Sequence, residues 1–204
     1  MLEIWAFRLL VLLSLTIFVK KMVTRLRLVV RAPGEFSFNA FSSRVYRVLV
    51  EVLLQSKTIS ERPIVGIAHA FVFWGFLAFS IYTAAGLLDG LGFVDLTTQK
   101  WFSGYRVGLI PFASVVLIGI FTLLVRRIFF RPSTLGFGIS GESVLIGVLI
   151  VTLMITFIFE FFITGGLLEK VNWWVHYLTV LAFLVLIPSS KHLHVLLSPF
   201  NVFL

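Results

Sequence analysis

Cysteine is absent from this sequence of 204 residues, and charged residues make up only 13% of it. Without cysteine the chain can form neither a disulfide nor a thiolate-ligated iron–sulfur or zinc site. Because about a quarter of the residues in a soluble domain are charged, the low charge excludes an ordinary soluble globular domain. Any metal or redox chemistry of this chain has to use its four histidines.

Apolar residues take the place of the missing charges. They make up 59% of the chain, 23 of them are phenylalanine, and the mean hydropathy is +1.07. The apolar runs are long enough for a helix to cross the roughly 30 Å hydrocarbon core of a bilayer. We therefore predict an all-α integral membrane protein, a five-transmembrane-helix bundle. The expected spans are 4–23, 63–88, 107–130, 143–168 and 173–197.

The distribution of basic residues predicts the orientation of this bundle. Of the 17 Lys and Arg residues, all but Arg8, Lys100, Arg106 and Lys170 fall on one side of the predicted spans. Basic residues accumulate on the cytoplasmic side of membrane proteins, so we expect the N-terminus outside and the C-terminus in the cytoplasm. The chain is then a multi-pass protein of the cell (inner) membrane. The same rule accounts for the net charge of +8 without nucleic-acid binding.

The connection between the first two spans, about 32–62, is expected on the cytoplasmic side. It opens with a turn signal, Ala-Pro-Gly-Glu at 32–35. Over about 40–57 the charged and amide residues share one face at helical spacing. This pattern favours an interfacial helix lying on lipid, with a dedicated docking helix for a partner as the alternative. The whole chain, 1–204, is predicted to be one membrane domain.

Four histidines lie in two of the predicted spans: His69 in the second, and His176, His192 and His194 in the fifth. Ionisable groups inside membrane helices are costly and are usually functional, although an interfacial histidine can also serve packing alone. In a continuous helix His176 and His194 share one face, because about five full turns separate them. The second span runs antiparallel to the fifth, so His69 and His194 can face each other.

Two imidazoles offered by facing helices suit the axial positions of a haem. The sequence therefore predicts one haem b on His69 and His194, with His192 replacing His194 if Pro188 kinks the helix. Gly66 and Gly75 could leave room for the flat macrocycle. Three cations near the cytoplasmic side are candidates for pairing with haem propionates, although each also satisfies the charge rule. They are Arg62, Lys191 and Arg126.

Glu160 is expected inside the fourth span, where an isolated carboxylate has to be neutralised or partnered. It is either a proton-relay or quinone-site residue, or a protonated group bonded to a neighbouring helix. If the fourth and fifth spans are adjacent and antiparallel, Glu160 lies near the depth of His176. We therefore take Glu160 and His176 as the candidate pair for quinone and proton chemistry near the outer face.

Two stretches of the chain carry a family resemblance. One is 62–76, Arg-Pro-Ile-Val-Gly-Ile-Ala-His-Ala-Phe-Val-Phe-Trp-Gly-Phe, and the other is Trp173-Trp174-Val-His176 followed by 188–203, Pro-Ser-Ser-Lys-His-Leu-His-Val-Leu-Leu-Ser-Pro-Phe-Asn-Val-Phe. This pattern resembles the nitrate-reductase-gamma-like haem b membrane domain of heterodisulfide-reductase-related iron–sulfur oxidoreductases. Membrane-bound electron-transfer-flavoprotein:menaquinone oxidoreductases belong to this group. The resemblance covers nearly the whole chain.

The resemblance implies a cytochrome b subunit of a respiratory chain. Such a subunit passes electrons between a cytoplasmic iron–sulfur, cysteine-rich partner, or an electron-transfer flavoprotein, and the quinone or menaquinone pool. Members of the fused family continue past the Pro-Phe-Asn-Val stretch into the cysteine-rich domain, so we expect that half in another polypeptide or beyond this chain. Related gamma subunits carry a second histidine ten residues after the first, where Phe79 stands here. One haem is therefore expected, and a second at His176 is the alternative.

Two functions of other classes compete with this reading. A haem-free membrane anchor would only dock a soluble redox enzyme, and it would show no haem bands in a visible spectrum. A small transporter or channel is the other. Five spans with a single intramembrane carboxylate and no pair of broken helices predict a poor transport path.

Overall fold

The computed structural model describes residues 2–31, 39–130 and 140–203. The fold is 88% helical, and the described residues form no strand, which confirms the all-α prediction. The expected turn at 32–35 and the cation Arg131 lie outside the described residues. The helices are α1 (Leu2–Arg31), α2 (Phe41–Arg47), α3 (Ser56–Glu61), α4 (Pro63–Leu91), α5 (Lys100–Val125), α6 (Gly141–Phe159), α7 (Gly166–Leu186) and α8 (Leu193–Phe203).

Five helical segments of the described chain are long and apolar enough to cross a membrane, as expected. They are Leu2–Arg31, Pro63–Leu91, Lys100–Phe130, Gly141–Phe159 and Gly166–Ser189. Their outward faces are covered with large apolar side chains such as Ile118 and Phe121, which are exposed in the bundle. An apolar surface of this kind is suited to lipid and would be unfavourable in water. The length and composition of these helices are those of a membrane protein.

The helices α4, α5, α6 and α7 form an antiparallel series in which each packs against the next. The first helix, α1, runs parallel to α7: the Phe7 ring lies 5.3 Å from that of Tyr177, and Lys21 reaches the carbonyl of Val185. A core between α4, α5 and α6 centres on Phe157, whose side chain is fully buried. Because α4 to α7 alternate in direction and α1 is parallel to α7, the C-termini of α1, α5 and α7 lie at one end of the bundle.

We call this end the basic end, because it holds the described cations that the charge rule assigned to the cytoplasm. The opposite end holds the C-terminus of α6 and the N-terminus of α7, and we call it the Glu160 end. Which end faces the cytoplasm stays a prediction, because it depends on the charge rule alone.

The fifth span differs from the expected 173–197 in a way that affects the histidines. It begins at Gly166, and its α-helix ends at Leu186 in a short 3-10 turn, Ile187–Ser189. Pro188 has no N–H for the helical ladder, and Ser190 is extended, so the chain turns before α8 begins at Leu193. A continuous helix from His176 to His194 is therefore wrong, and the argument from five full turns fails with it.

The fourth span also ends earlier than expected. The helix α6 stops at Phe159, whereas the apolar pattern extended the span to 168. Glu160 therefore lies at the end of a helix and not within it. The segment after it reaches α7 through Gly165 and Gly166, both in the left-handed region with φ of 75° and 80°, where glycine is unstrained.

The connection expected as one interfacial helix over 40–57 is interrupted in the structure. It consists of α2, a π-helical turn over Val48–Leu53, and α3. Gln55 adopts a left-handed backbone conformation between the last two and breaks the helical path. The Trp74 indole donates to the Leu53 carbonyl at 2.7 Å, and α2 packs against α8 through the Phe41 and Phe203 rings. This arrangement covers part of the basic end.

Candidate functional site

A largely apolar cavity of about 350 Å³ lies between α4, α5, α6 and α7. Side chains of all four helices line it. Three histidines, His69, His192 and His194, line it at the basic end. Such a volume lies within the range of small-molecule and cofactor sites.

The structure brings His69 and His194 together across this cavity. Their ring centroids are 6.1 Å apart, with 31° between the ring planes. His69 follows Pro63, which starts α4, and His194 stands in the first turn of α8. The two residues meet because the chain turns after Pro188. The sequence pattern instead predicts His176 and His194 on one continuous helix.

Each imidazole of this pair has a nitrogen that can bind a metal. The Nδ1 atom of His194 donates to the Lys191 carbonyl at 2.5 Å, which leaves Nε2 as the nitrogen with the free lone pair. Metal-binding histidines usually donate their second ring nitrogen to a carbonyl or carboxylate in this way. The Nδ1 atom of His69 is buried and has no hydrogen-bond partner among the described residues.

His192 stands beside this pair as a third imidazole. Its ring lies 6.0 Å from that of His194 and 6.1 Å from that of Phe183. Burial, reinforced by the nearby His194, lowers the pKa of His192 to about 4, so its imidazole is neutral at pH 7. Its buried Nδ1 also finds no partner within the described part of the chain. His192 therefore stays the alternative ligand to His194 that the sequence predicts.

The residues around the cavity fit a haem. Two imidazoles that bind one iron from opposite sides, with bonds of about 2 Å as for other imidazole–metal bonds, place their ring centroids about 6 Å apart. The observed 6.1 Å matches this requirement. In the described residues no group of three or more His, Cys, Asp or Glu is arranged to hold a metal ion. Two imidazoles in an apolar cavity therefore suit a metal whose other ligands belong to a bound cofactor, as they do in a haem.

The two glycines near His69 have different roles. Gly75 lines the cavity, and a β-carbon there would collide with the Val116 side chain. Gly66 faces away toward α3, where a β-carbon would lie 2.7 Å from the Ile59 Cα atom. Gly66 therefore permits close packing of α3 on α4 and does not make room in the cavity.

The three candidate partners for propionates lie at the basic end but outside the described lining of the cavity. Arg62 precedes α4 and is exposed, Lys191 is exposed in the turn before α8, and Arg126 is half-buried at the end of α5. The described contacts join none of the three charged side chains to the histidine pair, although the backbone carbonyl of Lys191 accepts from His194. Their expected pairing with propionates therefore requires a bound haem whose propionates extend from the cavity to the surface.

A second cavity, also of about 350 Å³, lies at the Glu160 end and has a polar lining. Arg106 donates to one carboxylate oxygen of Glu160 at 2.9 Å, and the Tyr82 hydroxyl donates to the other at 2.9 Å. The guanidinium of Arg106 also lies 4.8 Å from the centre of the Phe161 ring. Glu160 is therefore not an isolated carboxylate, because two other helices supply partners for it.

His176 lines the same polar cavity and is buried. Its Nδ1 lies 2.8 Å from the Thr156 hydroxyl oxygen, whose single proton lies toward the Thr152 carbonyl at 2.7 Å. Nδ1–H is then the donor, and Nε2 remains a proton acceptor. The Tyr82 ring lies edge-on to the imidazole with centroids 6.2 Å apart. The structure thus brings Glu160 and His176 into one site, with Tyr82 in contact with both.

Several polar residues of this site were not among the candidates from sequence. Tyr82 and Arg106 hold Glu160, and Asn172 donates to the Thr156 carbonyl at 2.9 Å. The signal that points to them is the one used for the histidines, a polar side chain at the margin of an apolar span. Arg106 entered the sequence analysis only through the charge rule.

Phe79 occupies the position where the resembling gamma subunits carry their second histidine. Its ring is buried and lies edge-on to that of Phe157, with centroids 4.9 Å apart. It also contributes to the lining of the apolar cavity. Phe79 therefore belongs to the packed core between the two cavities, and it provides no partner for His176.

Comparison with known proteins yields a distant similarity to an oxidoreductase. No protein-family model matches the chain, and no solved structure matches it. The chain is 24% identical over 215 aligned residues to the probable iron-sulfur-binding oxidoreductase FadF of Bacillus subtilis (strain 168). The alignment covers 92% of this chain and 30% of that relative. The similarity supports a redox-related role in general terms.

Proposed function

We propose that the chain is a cytochrome b, a membrane subunit that transfers electrons between a cytoplasmic iron–sulfur or flavin partner and the quinone pool. The observation that carries the proposal is the His69 and His194 pair, 6.1 Å apart at one end of an apolar cavity. The distant similarity to an iron-sulfur-binding oxidoreductase is consistent with it.

A haem b bound in this cavity would supply one-electron chemistry. His69 and His194 would hold its iron, and the Lys191 carbonyl orients the imidazole of His194 for that purpose. Apolar side chains of α4, α5, α6 and α7 line the cavity, and such a lining would limit the access of water to the bound group. Water exclusion and ligand orientation are the means by which a protein tunes such a group.

The polar cavity at the Glu160 end is the proposed quinone site. Reduction of a quinone requires two electrons and two protons, so a site needs groups that hold and move protons. The Nε2 atom of His176 can accept or return a proton, while the Tyr82 hydroxyl and the Glu160 carboxylate form a second donor and acceptor pair. Arg106 orients the carboxylate from α5. The geometry supports proton exchange at this end for either direction of electron flow.

The basic end is the proposed docking side for the redox partner. The charge rule assigns it to the cytoplasm, and the histidine pair lies nearer to it than to the Glu160 end. The surface there includes α2, the half-buried Arg126 and Arg127 in the π-helical turn that follows α5, and α8. The relative is described as iron-sulfur-binding, and this chain spans only 30% of it. A cysteine-rich partner segment or subunit would supply the thiolates that this chain lacks.

A visible spectrum of the purified protein tests the proposal. We expect a reduced-minus-oxidised spectrum with low-spin haem b bands and about one haem per chain in a pyridine haemochrome assay. His69→Ala should lose these bands, whereas Ser80→Ala, at the cavity wall away from the histidines, should retain them. Size-exclusion elution and thermal stability of the detergent-solubilised variants check that both remain folded. A wild-type protein without haem bands would favour the haem-free membrane anchor.

A further inference from the structure

The segment between α7 and α8 carries His192 and leads directly into His194 of α8, and residues of other helices hold it in place. We call Ile187–His192 the histidine turn. Lys21 donates to the Val185 carbonyl at 3.2 Å, and Arg25 donates to the Pro188 carbonyl at 3.3 Å. Both cations come from α1. From α6, one oxygen of Glu142 accepts the Lys191 backbone N–H at 2.6 Å.

These contacts meet a need that the sequence creates. The break after Leu186 leaves carbonyl groups at the end of α7 without partners in the helical ladder, and the missing N–H of Pro188 adds to the deficit. Cationic side chains at a helix C-terminus satisfy such carbonyls and interact favourably with the helix dipole. Lys21 thereby holds the end of α7, and Arg25 holds the first part of the histidine turn.

Glu142 acts on the part of the turn that is closest to His194. Both backbone polar groups of Lys191 form hydrogen bonds. Its N–H donates to Glu142, and its carbonyl accepts the Nδ1–H of His194 at 2.5 Å. His192 is held as well, because its N–H donates to the Ser190 hydroxyl at 3.1 Å. The position of the Glu142 carboxylate therefore determines where the carbonyl that orients the His194 imidazole lies.

We propose that Glu142 is a positioning residue for His194: by holding the Lys191 backbone, it fixes the orientation of the imidazole toward His69. This inference depends on the proposed function, since the orientation matters most when His194 binds a metal. It assigns Glu142 a role through Lys191 and not through contact with a bound group. It also accounts for a carboxylate at the basic end, where cations predominate.

A competing explanation of Glu142 is purely local. It stands in the first turn of α6, where a negative charge stabilises the helix N-terminus, and Ser140 caps the same end. Glutamine separates the two explanations. Glu142→Gln keeps an oxygen that can accept the Lys191 N–H but loses the charge, whereas Glu142→Ala loses both.

Two measurements on purified protein test the proposal. The first is the electron paramagnetic resonance spectrum of the oxidised protein, whose low-spin g values respond to the relative orientation of the axial imidazoles. The second is hydrogen–deuterium exchange of peptides covering 187–194. For Glu142→Ala we expect shifted g values and exchange about tenfold faster in this segment, because a hydrogen bond to a charged group is lost. Glu142→Gln should resemble the wild type in both.

A matched control removes a carboxylate at the same end without touching the turn. Glu51 pairs with Arg47 one turn away on its own helical segment. Glu51→Ala should leave the g values and the exchange of 187–194 unchanged. A Glu142→Ala protein with wild-type g values and exchange would overturn the proposal. So would a Glu142→Gln protein as altered as the alanine variant, because charge at the α6 N-terminus would then explain the effect.

The outcome also separates this inference from the proposed function. If the wild-type protein shows no haem bands, the proposed function fails, and the exchange measurement on the haem-free protein still decides whether Glu142 holds the turn. In that case faster exchange in Glu142→Ala alone supports the role of Glu142 in positioning the turn. Equal exchange in all variants contradicts it whether or not a haem is present.

Discussion

His176 Nδ1 lies 2.8 Å from the hydroxyl oxygen of Thr156 on the neighbouring helix. This contact ties His176 to the polar cavity at the Glu160 end, while the other three histidines line the apolar cavity at the basic end. The chain thus separates its imidazoles into two chemical environments. One is suited to binding a metal in an apolar space, and the other is suited to moving protons among polar groups.

The first prediction concerns His176. In His176→Ala we expect quinone turnover to fall by at least about tenfold with unchanged haem content, because a general acid or base contributes on the order of a hundredfold or more. Turnover and pyridine haemochrome content should be measured on the same preparation. Haem reduced by half would instead assign His176 to a second haem, and no change in either quantity would remove His176 from the mechanism.

The second prediction concerns the ion pair between Arg106 and Glu160. Arg106→Gln should lower quinone turnover several-fold, because the carboxylate loses the partner that orients it from α5. The free energy of unfolding should fall by less than about 1 kcal/mol, because the Arg106 and Glu160 side chains are 38% and 34% exposed. Arg8→Gln, at the same end but outside the polar cavity, serves as the control. A large fall in thermal stability would show a structural role instead.

The third prediction distinguishes His192 of the histidine turn from His194 at the start of α8. His194→Ala should lose the six-coordinate low-spin spectrum, whereas His192→Ala should retain it, because His194 faces His69 at 6.1 Å and has its Nδ1 already oriented by Lys191. The measurement is the visible spectrum of the reduced and oxidised variants. If only His192→Ala loses the spectrum, the ligand is His192 and the turn rearranges on binding.

The fourth prediction places the redox partner. A photo-reactive residue introduced at Arg47, which is exposed at the basic end, should form cross-links to an iron–sulfur or flavin partner. The same residue introduced at Asp95, in the connection between α4 and α5 at the opposite end, should form none. Cross-links obtained only from Asp95, or from the neighbouring Lys100 or Asp89, would contradict docking at the basic end.

The fifth prediction tests the packing between the two cavities. The Phe157 side chain is fully buried and lies edge-on to Phe79, whereas the Phe121 side chain is 66% exposed on the lipid-facing surface. Phe157→Ala should destabilise the bundle by about 3 kcal/mol, and Phe121→Ala by less than about 1 kcal/mol. Thermal unfolding in detergent measures both. Equal losses of stability in the two variants would mean that Phe157 is not part of the core.

Much of the helical architecture is readable from the sequence. In lipid each backbone polar group has to be satisfied within its own segment, so long apolar runs are compelled to be helical whatever their neighbours. The five spans are therefore predictable from runs of residues alone. Their ends are less so: α6 stops at Phe159 although the apolar pattern continues, because Glu160 finds its partners on α4 and α5 and the chain then turns at Gly165.

Residue types and charge also indicated which side chains carry chemistry, since ionisable groups in apolar spans are few. Which of them meet was decided by the tertiary structure. His69 and His194 come together because the break at Pro188 redirects the chain, and Lys21, Arg25 and Glu142 hold the resulting turn from other helices. Local hydropathy and spacing contain no information on the contacts that hold the turn, because these contacts depend on how distant helices pack side by side.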